Sequence, residues 1–149
     1  MHRRKLVAML GALTLAPLAR AQSPAATQAM LYKNPNCGCC EEHASYLRGH
    51  GYAVKVIETH DLDGLKRRHG VPEELFGCHT IEIGGYVVEG HVPAGALARL
   101  LRERPAIRGI SLPGMPAGSP GMIGRKREAF KIYVIDGRQA GAPQLFAAE

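Results

Sequence analysis

Three of the chain's four cysteines lie within four residues, and this group restricts what the chain can fold into more than any other feature. Cys37, Cys39 and Cys40 fall between a short apolar segment and a segment with helical periodicity. Adjacent cysteines such as Cys39 and Cys40 pair with each other only under strain, so the group is a poor cross-link for a scaffold. It is better suited to a redox or metal site at a turn from a strand into a helix.

The residues on either side of the cysteines predict such a turn. Residues 29–33 have the apolar character of a short buried strand, which Pro35 ends. Asn36 is placed to cap a helix over about 37–48. The residues expected on the inner face of this helix follow the spacing i, i+4 and i+7: Cys40, Ala44 and Leu47.

The remaining segments complete a β-α-β-α-β-β-α order, which predicts an α/β protein with a thioredoxin-like core. Two strands joined by Gly84-Gly85 form the clearest hairpin in the chain. A long Gly/Pro-rich loop over 107–127 and a final strand over 130–135 follow the core. The other predicted elements are a strand at 52–58, a helix capped by Asp61, a loop at 71–77, the hairpin strands at 80–83 and 86–89, and a helix from Pro93 to near Arg104.

The first 21 residues have the features of a secretory signal peptide. A basic segment at 2–5 precedes an apolar stretch at 6–18, and Ala19-Arg20-Ala21 provides a cleavage site with small residues. The alternative is an uncleaved membrane anchor, although the apolar stretch is short for a bilayer. We therefore predict a signal peptide at 1–21, a linker at 22–29 and one domain at 30–149.

Removal of the signal peptide changes the meaning of the net charge. The formal charge of the full chain is +6 at pH 7, but four basic residues and no acidic residue lie in 1–21, so the charge falls to +2. The higher value would have suggested nucleic acid as a partner. We expect no nucleic-acid partner and, after cleavage, no membrane attachment.

Cys37 and Cys40 form a C-x-x-C pair at a predicted helix N-terminus, where free N–H groups and the helix dipole favour thiolate over thiol. One interpretation is a thiol-disulfide oxidoreductase with Cys37 as nucleophile and Cys40 as resolving cysteine. Cys39 is a third sulfur that such an enzyme does not need, so the pattern favours a metal site.

Cys78-His79-Thr80 stands directly before the predicted hairpin. In thioredoxin-like proteins this position carries a proline followed by threonine, and it faces the redox cysteines. We therefore expect Cys78 to be the fourth sulfur, with His79 either a further ligand or a histidine without a ligand role. Four thiolates suit Cu(I), including several bridged Cu(I) ions, but they also suit Zn(II) in a structural zinc domain.

Met115, Met122 and His91 are further candidate metal ligands. Thioethers are soft ligands, and both methionines lie in the Gly/Pro-rich loop instead of on a helical stripe. The alternative is that the methionines pack the loop onto the core and that His91 caps a helix or is solvated.

Taken together, several segments resemble the DUF411 family, which includes CopG-type copper resistance proteins. The resemblance runs over about 30–135 and rests on residues 32–40, 70–72, 78–80, 85–93 and 112–122. It implies a periplasmic, thioredoxin-like protein of copper homeostasis whose copper is held by the C-x-C-C cysteines and the later Cys-His pair. It leaves open whether such a protein buffers copper or acts as a copper oxidoreductase.

Our leading prediction is an exported copper resistance protein that binds Cu(I) through its cysteines. The expected partners are copper ions and a periplasmic copper chaperone or efflux components. A thiol-disulfide oxidoreductase is the alternative function.

Overall fold

The structure, a computed structural model, describes residues 26–137 and 141–149. The predicted signal peptide at 1–21 lies outside these residues, as does the first half of the predicted linker, and both stay predictions. Within the described part of the chain, no helix is long and apolar enough to cross a membrane.

Seven strands of the described residues form one mixed sheet: β1 (Gln28–Lys33), β2 (Ala53–Glu58), β3 (Thr80–Ile83), β4 (Tyr86–Glu89), β5 (Gly109–Ser111), β6 (Lys131–Ile135) and β7 (Leu145–Ala148). They lie in the order β2-β1-β3-β4-β5-β6-β7. The β1–β2 and β4–β5 pairs are parallel, and the other neighbouring pairs are antiparallel. β1 begins at Gln28, so the strand includes the last two residues of the predicted linker.

Three α-helices accompany this sheet in the residues described: α1 (Gly38–Gly49), α2 (Leu62–Arg68) and α3 (Ala94–Glu103). Asp61 caps α2 as predicted, since its side chain accepts a hydrogen bond from the Gly64 N–H at 3.1 Å. A short 3₁₀ turn at Glu73–Leu75 lies in the predicted loop before β3. From β1 to α3 the elements follow the predicted order, so the α/β class is confirmed. The thioredoxin-like assignment stays a prediction.

The C-terminal part contains two strands that the sequence analysis missed. The predicted strand at 130–135 is β6. β5 lies inside the predicted Gly/Pro-rich loop and β7 follows β6, so the extent of the loop and the place of the last strand were predicted wrongly. β5 has only three residues, too few for a pattern of alternation. The first position of β5 requires a glycine, because a Cβ on Gly109 would lie 1.7 Å from the Val87 carbonyl oxygen of β4.

The inner face of α1 packs into the core, and this packing places the first cysteines. Cys40, Ala44 and Leu47 are fully buried, as predicted. They belong to one cluster with Leu31 of β1 and Ile81 of β3. Replacement of a fully buried leucine such as Leu47 by alanine is expected to cost about 2–5 kcal/mol of folding free energy. The start of α1 is therefore fixed against the centre of the sheet.

Candidate metal centre

The pairing of β1 with β3 brings the four cysteines together. Tyr32, near the end of β1, is the antiparallel partner of Thr80 at the start of β3. Cys37 follows β1 after a turn in which its N–H donates to the Asn34 carbonyl at 3.1 Å. Cys78 precedes β3 by two residues. The end of one strand and the approach to the other therefore lie side by side.

The helix that carries two of the sulfurs begins one residue later than predicted. Cys37, and not Asn36, is the N-cap residue of α1, and no side chain caps the helix. Cys39 and Cys40 consequently lie in the first turn. The free backbone N–H groups of this turn favour negative charge on nearby sulfurs.

The sulfur of Cys78 is the centre of the group. Its Sγ lies 3.3 Å from the Sγ of Cys37 and 3.4 Å from that of Cys40. The Sγ of Cys39 lies 3.5 Å from Cys78 and 3.6 Å from Cys37. Cys40 is buried and the other three are half-buried, so an ion can approach Cys37, Cys39 and Cys78 from the surface.

Cys37 and Cys40 are joined by a disulfide, whereas Cys39 and Cys78 are free. Because the thiolate is the metal-binding form of cysteine, a disulfide removes two ligands from the group. In this oxidised state the group offers two thiols. A two-electron reduction of the disulfide provides all four.

The Cys78 thiol is held in its protonated form. Its pKa is raised to about 12, first by burial and then by the hydrogen bond and the negative charge of Cys39. The positive charge of Lys66 acts in the opposite direction. In the metal-free protein Cys78 is therefore a neutral thiol at pH 7, and a metal ion has to displace its proton.

A buried ion pair holds the segment that carries Cys78. Lys66 and Glu89 are 1% and 0% exposed and pair with each other. The Glu89 carboxylate accepts hydrogen bonds from the Gly77 N–H at 2.9 Å and from the Thr80 hydroxyl at 2.8 Å. Lys66 donates to the Gly77 carbonyl at 2.6 Å. These bonds fix the residues on both sides of Cys78, so the ion pair positions the fourth sulfur.

Three histidines form a second group next to the sulfurs in the fold. His43, His79 and His91 are each 0% exposed, and one ring nitrogen of each lies within 4.8 Å of the others. His43 Nδ1 lies 2.7 Å from His79 Nε2. The outer nitrogens meet backbone carbonyls: His43 Nε2 lies 3.1 Å from the Val92 oxygen, and His91 Nδ1 lies 2.7 Å from the Pro120 oxygen.

All three histidines are neutral at pH 7. Burial, followed by the charge of His91, lowers the pKa of His43 to about 3. Burial, followed by the charges of the other two histidines, lowers the pKa of His79 well below its ordinary value. Burial also lowers the pKa of His91. Neutral imidazole is the form that binds metal ions.

The Gly/Pro-rich segment packs against the start of α1. At Gly121, which has a φ of +82°, a Cβ would lie 2.6 Å from the backbone nitrogen of His43 and 2.9 Å from the carbonyl oxygen of Cys39. Met122 is half-buried and Met115 is 59% exposed. The segment thus lies against the part of α1 that contributes residues to both the sulfur group and the histidine group. The roles of Met115 and Met122 as metal ligands stay predictions.

The structure gathers the four cysteines, and it gathers two of the candidate histidines with a third. His79 and His91, the candidate ligands named from the sequence, lie in a group with His43, which the sequence did not single out, and their roles as ligands stay predictions. His43 had a usable signal, because it follows Cys40 by three residues and so shares the buried face of α1. Lys66 and Glu89 had none, since only the tertiary fold brings them together.

The chain is similar to one protein family and to solved structures of a copper resistance protein. The DUF411 family, described as a protein of unknown function, matches residues 75–122, which include Cys78, His79 and His91. The solved structure of the copper resistance protein CopG, form 2, is 35% identical, with a TM-score of 0.74 over 83% of this chain and 98% of that chain. Form 1 is 36% identical, with a TM-score of 0.73 over 82% and 96%. No curated protein sequence matches the chain.

Proposed function

The chain belongs to the DUF411 family, together with the copper resistance protein CopG, and we propose that it is an exported protein that binds Cu(I) through its four cysteines. The observation that carries this proposal is the position of Cys78. Its Sγ lies 3.3–3.5 Å from the sulfurs of the three cysteines at the start of α1. The sulfurs of Cys37, Cys39 and Cys78 are only half-buried, so core packing alone does not account for their convergence, whereas a shared metal ion does.

Ligand chemistry supports Cu(I) as the cargo. Thiolates are soft ligands that favour Cu(I), and they bind Zn(II) as well. With the disulfide in place these sulfurs already lie 3.3–3.6 Å apart, so after its reduction one thiolate can contact two ions, which favours a polynuclear Cu(I) cluster. Such a group withholds Cu(I) from other reactions, as copper resistance requires.

The Cys37–Cys40 disulfide couples copper binding to redox state. When the pair is reduced, its two thiolates can give one electron each to two Cu(II) ions, which forms the disulfide and two Cu(I) ions. An external dithiol then returns the disulfide to two thiols. The proposal therefore includes conversion of copper between its oxidation states beside simple binding.

A second candidate function is that of a thiol-disulfide oxidoreductase acting on proteins. The disulfide at the N-terminus of α1 favours it, as does the contrast between half-buried Cys37 and fully buried Cys40. This contrast suits an attacking and a resolving cysteine. Cys39→Ser separates the two candidates, because insulin reduction that persists in this variant without copper would favour the oxidoreductase.

Export and partners belong to the same proposal. Residues 1–21 have the pattern of a signal peptide, which would place the mature chain in the periplasm. Its protein partners would be a periplasmic copper chaperone or efflux components, which deliver or receive Cu(I).

Metal analysis of the protein from its own compartment tests the proposal. The full chain, with its N-terminal segment, is expressed in a Gram-negative host grown with added copper, and the periplasmic fraction is purified without chelators. We expect the protein in that fraction with bound copper, and less copper in Cys78→Ser. Zinc in place of copper would refute the Cu(I) assignment, and protein retained in the cytoplasm would refute export.

A further inference from the structure

We propose that His43, His79 and His91 form a second metal site, which binds Cu(II) through nitrogen alone and needs none of the four thiols. The rings come from α1, from the residue before β3 and from the connection between β4 and α3. Their centroids are 4.7–5.1 Å apart. The fold thus gathers three buried imidazoles from distant parts of the chain.

The hydrogen bonds fix where the protons lie on the three rings. A carbonyl oxygen only accepts, so His91 Nδ1 donates to Pro120 and His43 Nε2 donates to Val92. In neutral rings the other two nitrogens, His91 Nε2 and His43 Nδ1, therefore carry lone pairs. His43 Nδ1 accepts its hydrogen bond from His79 Nε2 at 2.7 Å, which leaves a lone pair on His79 Nδ1.

Two of these lone pairs are buried without a partner. Among the described residues, His79 Nδ1 and His91 Nε2 are the buried side-chain nitrogens or oxygens that have no hydrogen-bond partner. An unsatisfied buried polar atom destabilises the folded state, and native proteins contain few of them. Two such atoms in one group of three histidines point to a ligand that accepts their lone pairs. A metal ion is such a ligand.

The outer contacts of the rings match those of metal-binding histidines. A histidine ligand usually donates its second N–H to a carbonyl or carboxylate, which fixes the tautomer and the ring orientation. His43 and His91 already do so through Val92 and Pro120. The site is thus oriented before an ion arrives, and only the inner nitrogens have to adjust.

The choice of ion follows from the donor atoms. Three neutral imidazoles without a thiolate suit divalent copper, zinc or nickel, and Cu(II) binds tightest in the usual order of divalent ions. The sulfur group prefers Cu(I), because thiolates are soft ligands. The two groups therefore differ in the oxidation state of copper that they favour, although the histidine site does not depend on the sulfurs.

The Gly/Pro-rich segment lies against two of the three histidines. Pro120 is bonded to His91, and Gly121 packs directly on the backbone of His43. This segment therefore covers part of the histidine group.

Cu(II) binding by a thiol-free form of the full chain tests the proposal. In Cys39→Ser/Cys78→Ser with the Cys37–Cys40 disulfide intact, no free thiol remains. Cu(II) is added against a competing chelator, and the bound ion is measured by electron paramagnetic resonance. We expect one Cu(II) per chain with splitting from several nitrogens.

His91→Gln in this background should weaken Cu(II) binding by about tenfold or more, since comparable losses follow changes in the surroundings of metal ligands. The change removes the imidazole lone pair that the ion would use. His60 is exposed and serves as the matched control, because His60→Gln should leave binding unchanged.

The proposal is overturned if the thiol-free chain takes up no stoichiometric Cu(II), or if His91→Gln and His60→Gln bind it equally. If the double serine variant does not fold, the oxidised wild-type chain with Cys39 and Cys78 blocked as methyl disulfides gives the same test. A negative result for Cu(II) would not contradict the proposed Cu(I) binding, because Cu(I) binding is measured separately on the reduced wild-type protein.

Discussion

The Sγ atoms of Cys37 and Cys78 lie 3.3 Å apart, although the two residues are 41 positions apart in the chain. The antiparallel pairing of β1 with β3 produces this contact, because it aligns the end of one strand with the start of the other. The sulfur group therefore depends on the sheet and on the contacts that fix the residues beside Cys78.

Glu89→Gln is expected to destabilise the protein strongly. The change leaves the Lys66 cation buried at 1% exposure without its carboxylate, and breaking a buried ion pair in this way costs about 3–5 kcal/mol. Urea denaturation of the metal-free chain measures the loss. Lys66→Met/Glu89→Gln should recover part of it, because no buried charge remains.

The surface pair of Arg67 and Glu73 provides the control. Its side chains are 57% and 71% exposed, so Glu73→Gln should change stability little. Equal effects of Glu73→Gln and Glu89→Gln would contradict the role given to the buried pair.

The stability of the metal-free protein should fall as the pH drops below about 6.5. The pKa of His43 is about 3 in the folded state, against about 6.5 when unfolded. Below 6.5 the unfolded chain takes up a proton that the folded chain excludes, so stability is lost as pH falls toward 3. The loss from His43 is about 1.4 kcal/mol per pH unit within this window.

Urea denaturation at pH 7, 6, 5 and 4 measures this slope, and His43→Gln should reduce it. The exposed control His60→Gln should leave it unchanged. A stability that is constant from pH 7 to 4 would mean that His43 is not a buried neutral histidine.

Alkylation of Cys78 in the oxidised protein should be slow and should depend steeply on pH. With a pKa of about 12, the rate with iodoacetamide should rise about tenfold per pH unit between about pH 8 and 10, because only the thiolate reacts. Mass spectrometry of peptides follows the rate. Cys39→Ser should accelerate the reaction, since Cys39 raises the Cys78 pKa by its hydrogen bond and its charge. A rate that levels off near pH 9 would contradict the protonated state of Cys78.

Gly121→Ala should destabilise the protein more than Gly114→Ala. Both glycines have positive φ, +82° and +70°, so both changes carry the backbone cost of about 1–2 kcal/mol for a left-handed residue. A Cβ at Gly114 meets open space, whereas a Cβ at Gly121 would lie 2.6 Å from the His43 backbone. The difference between the two melting temperatures isolates the packing of the loop on α1. Equal losses would mean that the loop does not press on the helix.

The local parts of the site could be predicted from the sequence. The cysteines of α1 and the Gly84-Gly85 hairpin are short-range patterns, and the position of Cys78 followed from its place before β3. The partnership of Lys66 with Glu89, and of His43 with His79 and His91, depends on which elements pack together, which no local pattern encodes. β5 was missed for a related reason, because a three-residue strand is specified by its neighbours β4 and β6 and not by its own residues.

Cu(I) competition on the anaerobically reduced full chain tests the central claim most directly. The protein, with all four cysteines reduced, is mixed with Cu(I) held by a coloured chelator, and the loss of colour gives the copper that moves to the protein. We predict that reduced wild-type protein takes up Cu(I), that Cys78→Ser takes up less than Cys39→Ser, and that the form with the Cys37–Cys40 disulfide takes up least. If all the Cu(I) stays with the chelator in the presence of the reduced wild-type protein, the four cysteines are not a copper site.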